Sequence, residues 1–100
     1  MRIFVDIDET ICFYEGVREY HLAKPNITNI NKINKLYDKG NEITYYTARA
    51  SVLKDRLEEF KILTEKQLNE WGAKYHYLSV GEKPPYDLLI CDKTKRIEEI

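Results

Sequence analysis

Short runs of apolar, β-branched residues alternate along this chain with stretches in which apolar residues recur at helical spacing. Such runs predict four strands, at residues 2–7, 42–46, 74–78 and 87–91. Helical patterns open after Asn26, after Ser51 and near Thr94. Strands that alternate with helices need crossover connections, so the pattern predicts an α/β fold with a small, mainly parallel sheet and helices packed on its faces.

The spacing of apolar residues defines two amphipathic helices. Ile27, Ile30 and Ile33 share one face of the first, and Gly40 follows as a stop signal. The polar face of the second mixes charges of both signs, which favours packing on a core over binding to a membrane surface. Its predicted apolar stripe comprises Leu53, Leu57, Phe60, Leu68 and Trp71.

Composition excludes several classes of protein. One hundred residues suffice for one domain, and a net charge of −1 disfavours nucleic acid and membrane partners, which both select basic surfaces. No apolar run is long enough for a transmembrane helix, and the apolar stretch before Asp6 is too short for a signal peptide. The two cysteines, Cys12 and Cys91, form no disulfide framework, so we expect a reduced, cytoplasmic protein.

Charged or hydroxylated residues follow every predicted strand. Ligands of open α/β sheets bind beyond the carboxyl ends of the strands, so these residues are predicted to share one edge. Each alone could cap a helix, open a turn or be solvated, and their coincidence on one edge is what indicates a site. The residues concerned are Asp6, Asp8, Thr47, Lys83 and Asp92.

The order of these residues resembles the haloacid dehalogenase superfamily of phosphohydrolases. Asp6-Ile7-Asp8-Glu9-Thr10 fits its first motif, Thr47 the second, Lys83 before a proline the third, and Asp92 the acidic fourth. The resemblance spans the whole chain and is close to a short, capless subgroup of capsule-biosynthesis phosphatases. The segments that carry this likeness include Tyr45-Tyr46-Thr47-Ala48-Arg49.

The resemblance implies a Rossmann-like, three-layer α/β/α sandwich without a cap domain, formed by residues 1–100 as one domain. Residues 11–24, called the flap below, would cover the site. The implied activity is hydrolysis of a small phosphorylated metabolite, with a sugar phosphate of surface-polysaccharide synthesis favoured over a nucleoside monophosphate. A capless site could be open to large substrates or closed by a second subunit, so a homo-oligomer is an alternative to a monomer.

The same resemblance assigns a role to each motif residue. Asp6 would be the nucleophile that forms an aspartyl-phosphate, and Asp8 the general acid and then the general base. Thr47 and Lys83 would bind the phosphoryl oxygens. Mg²⁺ would be held by Asp6, the backbone carbonyl of Asp8, and Asp92. Arg49 could bind a second anionic group of the substrate or pair with a glutamate of the second helix.

Two departures from the family pattern support a non-catalytic alternative. Glu9 stands where glycine is commonest, and Cys91 replaces the first residue of a frequent Asp-Asp pair. A decayed site of this kind could serve as a binding or assembly module. Retention of the key residue types at all four motifs favours the enzyme.

Other candidate residues have simpler explanations. Cys12 and Arg18 have the Cys-x5-Arg spacing of thiol phosphatases, but Glu15 between them would repel phosphate. His76 lies in an aromatic segment and is expected to be structural, while His21 in the flap could contact a substrate.

Overall fold

The strands and helices alternate as the sequence predicts. The computed structural model describes residues 1–16, 19–48, 56–81 and 88–90. Its helices are α1 (Ile27–Asp38) and α2 (Leu57–Glu70), and a short 3-10 turn spans Tyr20–Leu22. Its strands are β1 (Arg2–Asp6), β2 (Cys12–Phe13), β3 (Lys24–Pro25), β4 (Glu42–Thr47), β5 (Tyr77–Val80) and β6 (Leu88–Ile90).

Four parallel strands form the main sheet, in the order β5-β4-β1-β6. In the register of the two central strands, Arg2 faces Glu42 and Asp6 faces Tyr46, so both strands end at nearly the same level. The predicted α/β class with a parallel sheet is therefore confirmed.

Both described helices lie on the same face of this sheet. The chain adds β4 and then β5 on one side of β1, and right-handed crossovers in one direction place successive helices on one face. One continuous apolar cluster joins the sheet to both helices. It contains Ile3, Val5, Ile7, Ile11, Cys12, Ile30, Ile33, Ile43, Tyr45, Leu68 and Ile90.

The opposite face of the sheet carries Phe4, which is buried and packs against Tyr46. Within the described ranges no helix covers this face. The described residues therefore form two layers of the expected three-layer sandwich, the sheet and one layer of helices. The helix predicted from Thr94, like the predicted cap Ser51, lies outside the described residues. No helix in the described part of the chain is long and apolar enough to cross a membrane.

The third strand was predicted too early in the chain. Residues 74–78 were expected, but β5 spans Tyr77–Val80. The amide of Lys74 donates instead to the side chain of Asn34, and the ring of His76 accepts a hydrogen bond from the amide of Ile43. Partners from α1 and β4 therefore occupy this segment before the ladder begins.

The apolar stripe of α2 is also narrower than predicted. Phe60 and Leu68 are buried, whereas Leu57 in the first turn is 40% exposed. Thr64 and Gln67 are buried between them. The Thr64 hydroxyl donates to the carbonyl of Phe60 at 2.7 Å, which is why a polar residue is tolerated there.

The flap contains a small antiparallel ribbon that the sequence did not reveal. Cys12 pairs with Pro25 and Phe13 with Lys24. The amide of Asn26 donates to the carbonyl of Ile11 at 2.8 Å, which attaches the ribbon to the start of α1. Gln67 of α2 donates to the carbonyl of Tyr20 at 2.6 Å and fixes the far end of the flap.

Candidate active site

The carboxyl ends of β1 and β4 lie side by side, with Asp6 closing one strand and Thr47 the other. The strand order reverses at β1: β4 and β5 follow one another on one side of it, and β6, which comes last in the chain, pairs with its other side. Ligands of open α/β sheets bind beyond the strand ends at such a reversal. The half-buried Asp6 therefore stands at the position where this architecture forms a binding crevice.

A tight turn directly after β1 places Asp8 beside Thr47. The amide of Ile7 continues the ladder by donating to the carbonyl of Tyr46 at 3.1 Å. The carbonyl of Ile7 then accepts the amides of Thr10 and Ile11, at 3.2 and 3.0 Å. Glu9 closes the turn with a φ of 66°. This is a left-handed backbone conformation, which residues other than glycine disfavour.

The carboxyl group of Asp8 is the centre of the site. It is 9% exposed and accepts two hydroxyl hydrogen bonds, one on each oxygen. Thr47 Oγ1 donates to Oδ2 at 2.9 Å, and the Tyr14 hydroxyl donates to Oδ1 at 2.5 Å. The Cys12 thiol lies 3.7 Å from Oδ1. The turn after β1, the end of β4 and the flap ribbon thus converge on one carboxyl group.

Three of the predicted site residues, Asp6, Asp8 and Thr47, are together at this edge. Thr47 is 1% exposed, and its hydroxyl donates to Asp8, whereas a phosphoryl oxygen was the expected acceptor. A hydroxyl has a single proton, so a phosphoryl group would have to compete with Asp8 for it. The other predicted site residues lie outside the described residues; they are Arg49, Lys83 and Asp92.

Tyr14 is the site residue that sequence reasoning missed. It follows β2 directly, and the pairing of β2 with β3 directs this part of the flap back toward the turn after β1. Tyr14 is one of eight tyrosines, and nothing in its spacing distinguishes it from the others. The pairing of Cys12 with Pro25 is the information that would have been needed.

The donors present here suit magnesium. The carboxylate of Asp6 and the backbone carbonyl of Asp8 are hard oxygen donors two residues apart, which Mg²⁺ prefers over nitrogen or sulfur. Among residues 1–16, 19–48, 56–81 and 88–90, no three acidic, histidine or cysteine side chains cluster closely enough to hold a metal. The third expected ligand, Asp92, is outside those ranges.

The environment of Cys12 argues against a thiol nucleophile. Cys12 is 2% exposed, belongs to the apolar core and donates its thiol to the carbonyl of Ile7 at 3.6 Å. A thiol nucleophile must be accessible and partly ionised, and apolar surroundings oppose both. The other half of that sequence pattern, Arg18, lies outside the described residues.

The two histidines occupy different environments. His76 stacks on Tyr37, with ring centroids 4.7 Å apart, and its Nδ1 accepts from the amide of Ile43 at 3.1 Å, so it has a structural role as expected. His21 is exposed at the rim of a cavity of about 470 Å³ between the 3-10 turn and α2. Tyr20 and Phe60 meet edge to face in its wall, 5.5 Å apart.

Comparison with known proteins supports the fold. A crystal structure of a structural-genomics target from Vibrio cholerae is similar to this chain, with a TM-score of 0.71 and 19% sequence identity. The similarity covers 83% of this chain and 71% of that one. No protein-family model and no curated protein sequence matches the chain. At this level of identity the likeness concerns the arrangement of strands and helices.

Proposed function

We propose that this chain is a magnesium-dependent phosphomonoester hydrolase of the haloacid dehalogenase type. The observation that carries the proposal is the meeting of Asp8 and Thr47, which lie 39 residues apart in the sequence and hydrogen bond at 2.9 Å beside Asp6. The residues that resemble the first two motifs of that family therefore share one edge of the sheet. Residues 1–100 would then form a capless three-layer domain.

In the first step, a carboxylate oxygen of Asp6 attacks phosphorus while the bond from phosphorus to the ester oxygen breaks. Asp8 donates its proton to that ester oxygen, so the alcohol leaves neutral and an aspartyl-phosphate remains on Asp6. Proton donation of this kind is typically worth about 10²–10⁴-fold in rate.

In the second step, the Asp8 carboxylate takes a proton from water, and the resulting hydroxide attacks phosphorus. The bond to Asp6 breaks, which releases inorganic phosphate and restores both carboxyl groups to their starting states. Lys83 would bind a phosphoryl oxygen, and Arg49 a second anionic group of the substrate. Thr47 would bind a phosphoryl oxygen by exchanging its hydrogen bond to Asp8 for one to the phosphoryl group. Mg²⁺, held by Asp6, the Asp8 carbonyl and Asp92, would offset the repulsion between phosphate and carboxylate.

We favour a small sugar phosphate as substrate, since the sequence resembles the capsule-biosynthesis subgroup, with a nucleoside monophosphate as the alternative. The decisive assay measures phosphate release from an aryl phosphate and from a panel of sugar phosphates and nucleoside monophosphates, with Mg²⁺ and with a chelator. We expect Mg²⁺-dependent turnover. Absence of turnover across pH and divalent metals would overturn the proposal and favour a non-catalytic module.

Asp6→Asn tests the nucleophile, since an amide oxygen cannot replace the attacking carboxylate. We expect turnover to be abolished while the circular dichroism spectrum stays that of the wild type. Asp38→Asn is the matched control, because Asp38 is exposed and pairs with Lys74 away from the site. Normal turnover by Asp6→Asn would rule out the assignment.

A further inference from the structure

We infer that Tyr14 is a positioning residue for Asp8, holding its carboxyl group in the orientation that protonates the leaving group. This inference rests on the proposed function and adds a residue that the family motifs do not include. It is carried by the 2.5 Å hydrogen bond from the Tyr14 hydroxyl to Asp8 Oδ1. A hydroxyl donor at this short O–H···O distance fixes the direction in which the carboxyl group faces.

Tyr14 is held firmly enough for this role. Ile11 and Cys12, which precede Tyr14 by three and two residues, belong to the apolar core, and the Ile11 carbonyl accepts the amide of Asn26. After Tyr14, the side chain of Glu15 pairs with Lys24 of β3 at 2.8 Å. Tyr14 is thus held by the core on its amino-terminal side and paired to the neighbouring strand of the ribbon on its carboxyl-terminal side.

The hydroxyl contact also distinguishes the two oxygens of Asp8. Oδ1 accepts the Tyr14 hydroxyl and Oδ2 accepts the Thr47 hydroxyl, so one donor from the flap and one from β4 fix the rotation of the carboxyl group. Loss of the Tyr14 hydroxyl would remove one of these two contacts and let the carboxyl group rotate, which misdirects the proton that Asp8 transfers.

A positioning role for Tyr14 predicts dependence on the leaving group. An alkyl phosphate releases a strongly basic alkoxide and needs the proton from Asp8, whereas p-nitrophenyl phosphate releases a weak base and needs it little. The measured quantity is kcat/KM, because it reports the steps up to departure of the leaving group and excludes the second step, which is the same for both substrates. We expect Tyr14→Phe to lower kcat/KM for an alkyl phosphate by about 10- to 100-fold, the equivalent of a hydrogen bond to a charged group. For p-nitrophenyl phosphate, we expect kcat/KM to change by less than about threefold.

The matched control is Tyr37→Phe, because Tyr37 stacks on His76 at the amino end of the sheet and should leave both rates unchanged. Equal losses on both substrates, or no loss on either, would refute the role of Tyr14 while leaving the hydrolase proposal standing. A wild-type protein without turnover would instead remove the hydrolase proposal itself. Tyr14→Leu also lacks the hydroxyl and is the second variant. If both variants unfold, Tyr14 is structural and the inference fails.

Discussion

The hydroxyl of Thr47 donates a 2.9 Å hydrogen bond to Asp8 Oδ2, and both side chains are buried. The contact joins the end of β4 to the turn after β1. A buried carboxyl group that loses a donor bears the cost of its lost hydration. Thr47 therefore stabilises the fold as well as orienting Asp8.

Thr47→Val removes the hydroxyl at nearly constant volume. We expect the free energy of unfolding in urea to fall by about 1–3 kcal/mol, because Asp8 stays buried with one donor fewer. Hydrolysis of phosphomonoesters should fall with it, by about tenfold or more. Thr47→Ser restores the hydroxyl and should recover most of both quantities. A serine variant as impaired as valine would mean that the hydroxyl alone does not account for the effect and that packing of the Thr47 methyl group contributes as much.

Glu9 offers a test of backbone strain at the same turn. Its φ of 66° is accessible to glycine without a steric penalty, whereas other residues lose about 1 kcal/mol or more there. Part of this gain is offset because glycine makes the unfolded chain more flexible. Glu9→Gly should therefore raise the free energy of unfolding by up to about 1 kcal/mol. Chemical denaturation followed by circular dichroism measures this change.

Glu9→Ala separates the backbone from the side chain, since alanine lacks the carboxylate but keeps the Cβ atom. We expect no stabilisation by alanine. Equal stabilisation by alanine and glycine would attribute the effect to removal of the glutamate side chain and not to relief of the left-handed conformation.

Local patterns were sufficient for much of the fold. The apolar run of residues 2–7 and the helical spacing of Ile27, Ile30 and Ile33 predicted β1 and α1, because strand and helix periodicity depend on neighbours in sequence. Gly40 adopts a φ of 95° after α1, as its position as a stop signal suggests. The start of β5 could not be predicted in this way, because Lys74 binds to Asn34, forty residues away.

The residues of the candidate site also divide into those that local sequence patterns could predict and those that depend on distant contacts. Asp8 and Thr47 could be placed on one edge from the sequence, since parallel strands present their carboxyl ends together. Tyr14 could not, because its position depends on the pairing of β2 with β3 across ten intervening residues, more than a short hairpin turn contains. The hydrogen bond from the Thr47 hydroxyl to Asp8 could not be predicted either, since it depends on the turn geometry at Glu9.

Tyr45 should make the protein sensitive to alkaline pH. Its ring is fully buried, its hydroxyl has no hydrogen-bond partner among the described residues, and burial raises the pKa of its phenol well above the usual 10.0. Above about pH 10 the unfolded chain releases this proton and the folded chain keeps it. Stability from this group is therefore complete below pH 10 and falls by about 1.4 kcal/mol per pH unit above it.

Tyr45→Phe removes both the buried hydroxyl and its titration. We expect the variant to be more stable than the wild type by about 1 kcal/mol at neutral pH, with a difference that grows above pH 10. Urea unfolding at a series of pH values measures it. Tyr77→Phe on the neighbouring strand is the control, because Tyr77 is 59% exposed. A difference that is constant with pH would contradict the titration of Tyr45.

Asn26 links the flap ribbon to α1 and should contribute to stability through its side chain. Its Oδ1 accepts the amide of Asn29 at 3.1 Å, which satisfies one of the open donors in the first turn of the helix. Asn26→Ala should cost about 1 kcal/mol of unfolding free energy in urea. Asn26→Asp keeps the acceptor and adds a negative charge near the helix N-terminus, where the first turn has no acidic residue, so it should equal or exceed the wild type. If aspartate destabilises as much as alanine, the capping hydrogen bond is not the source of the effect.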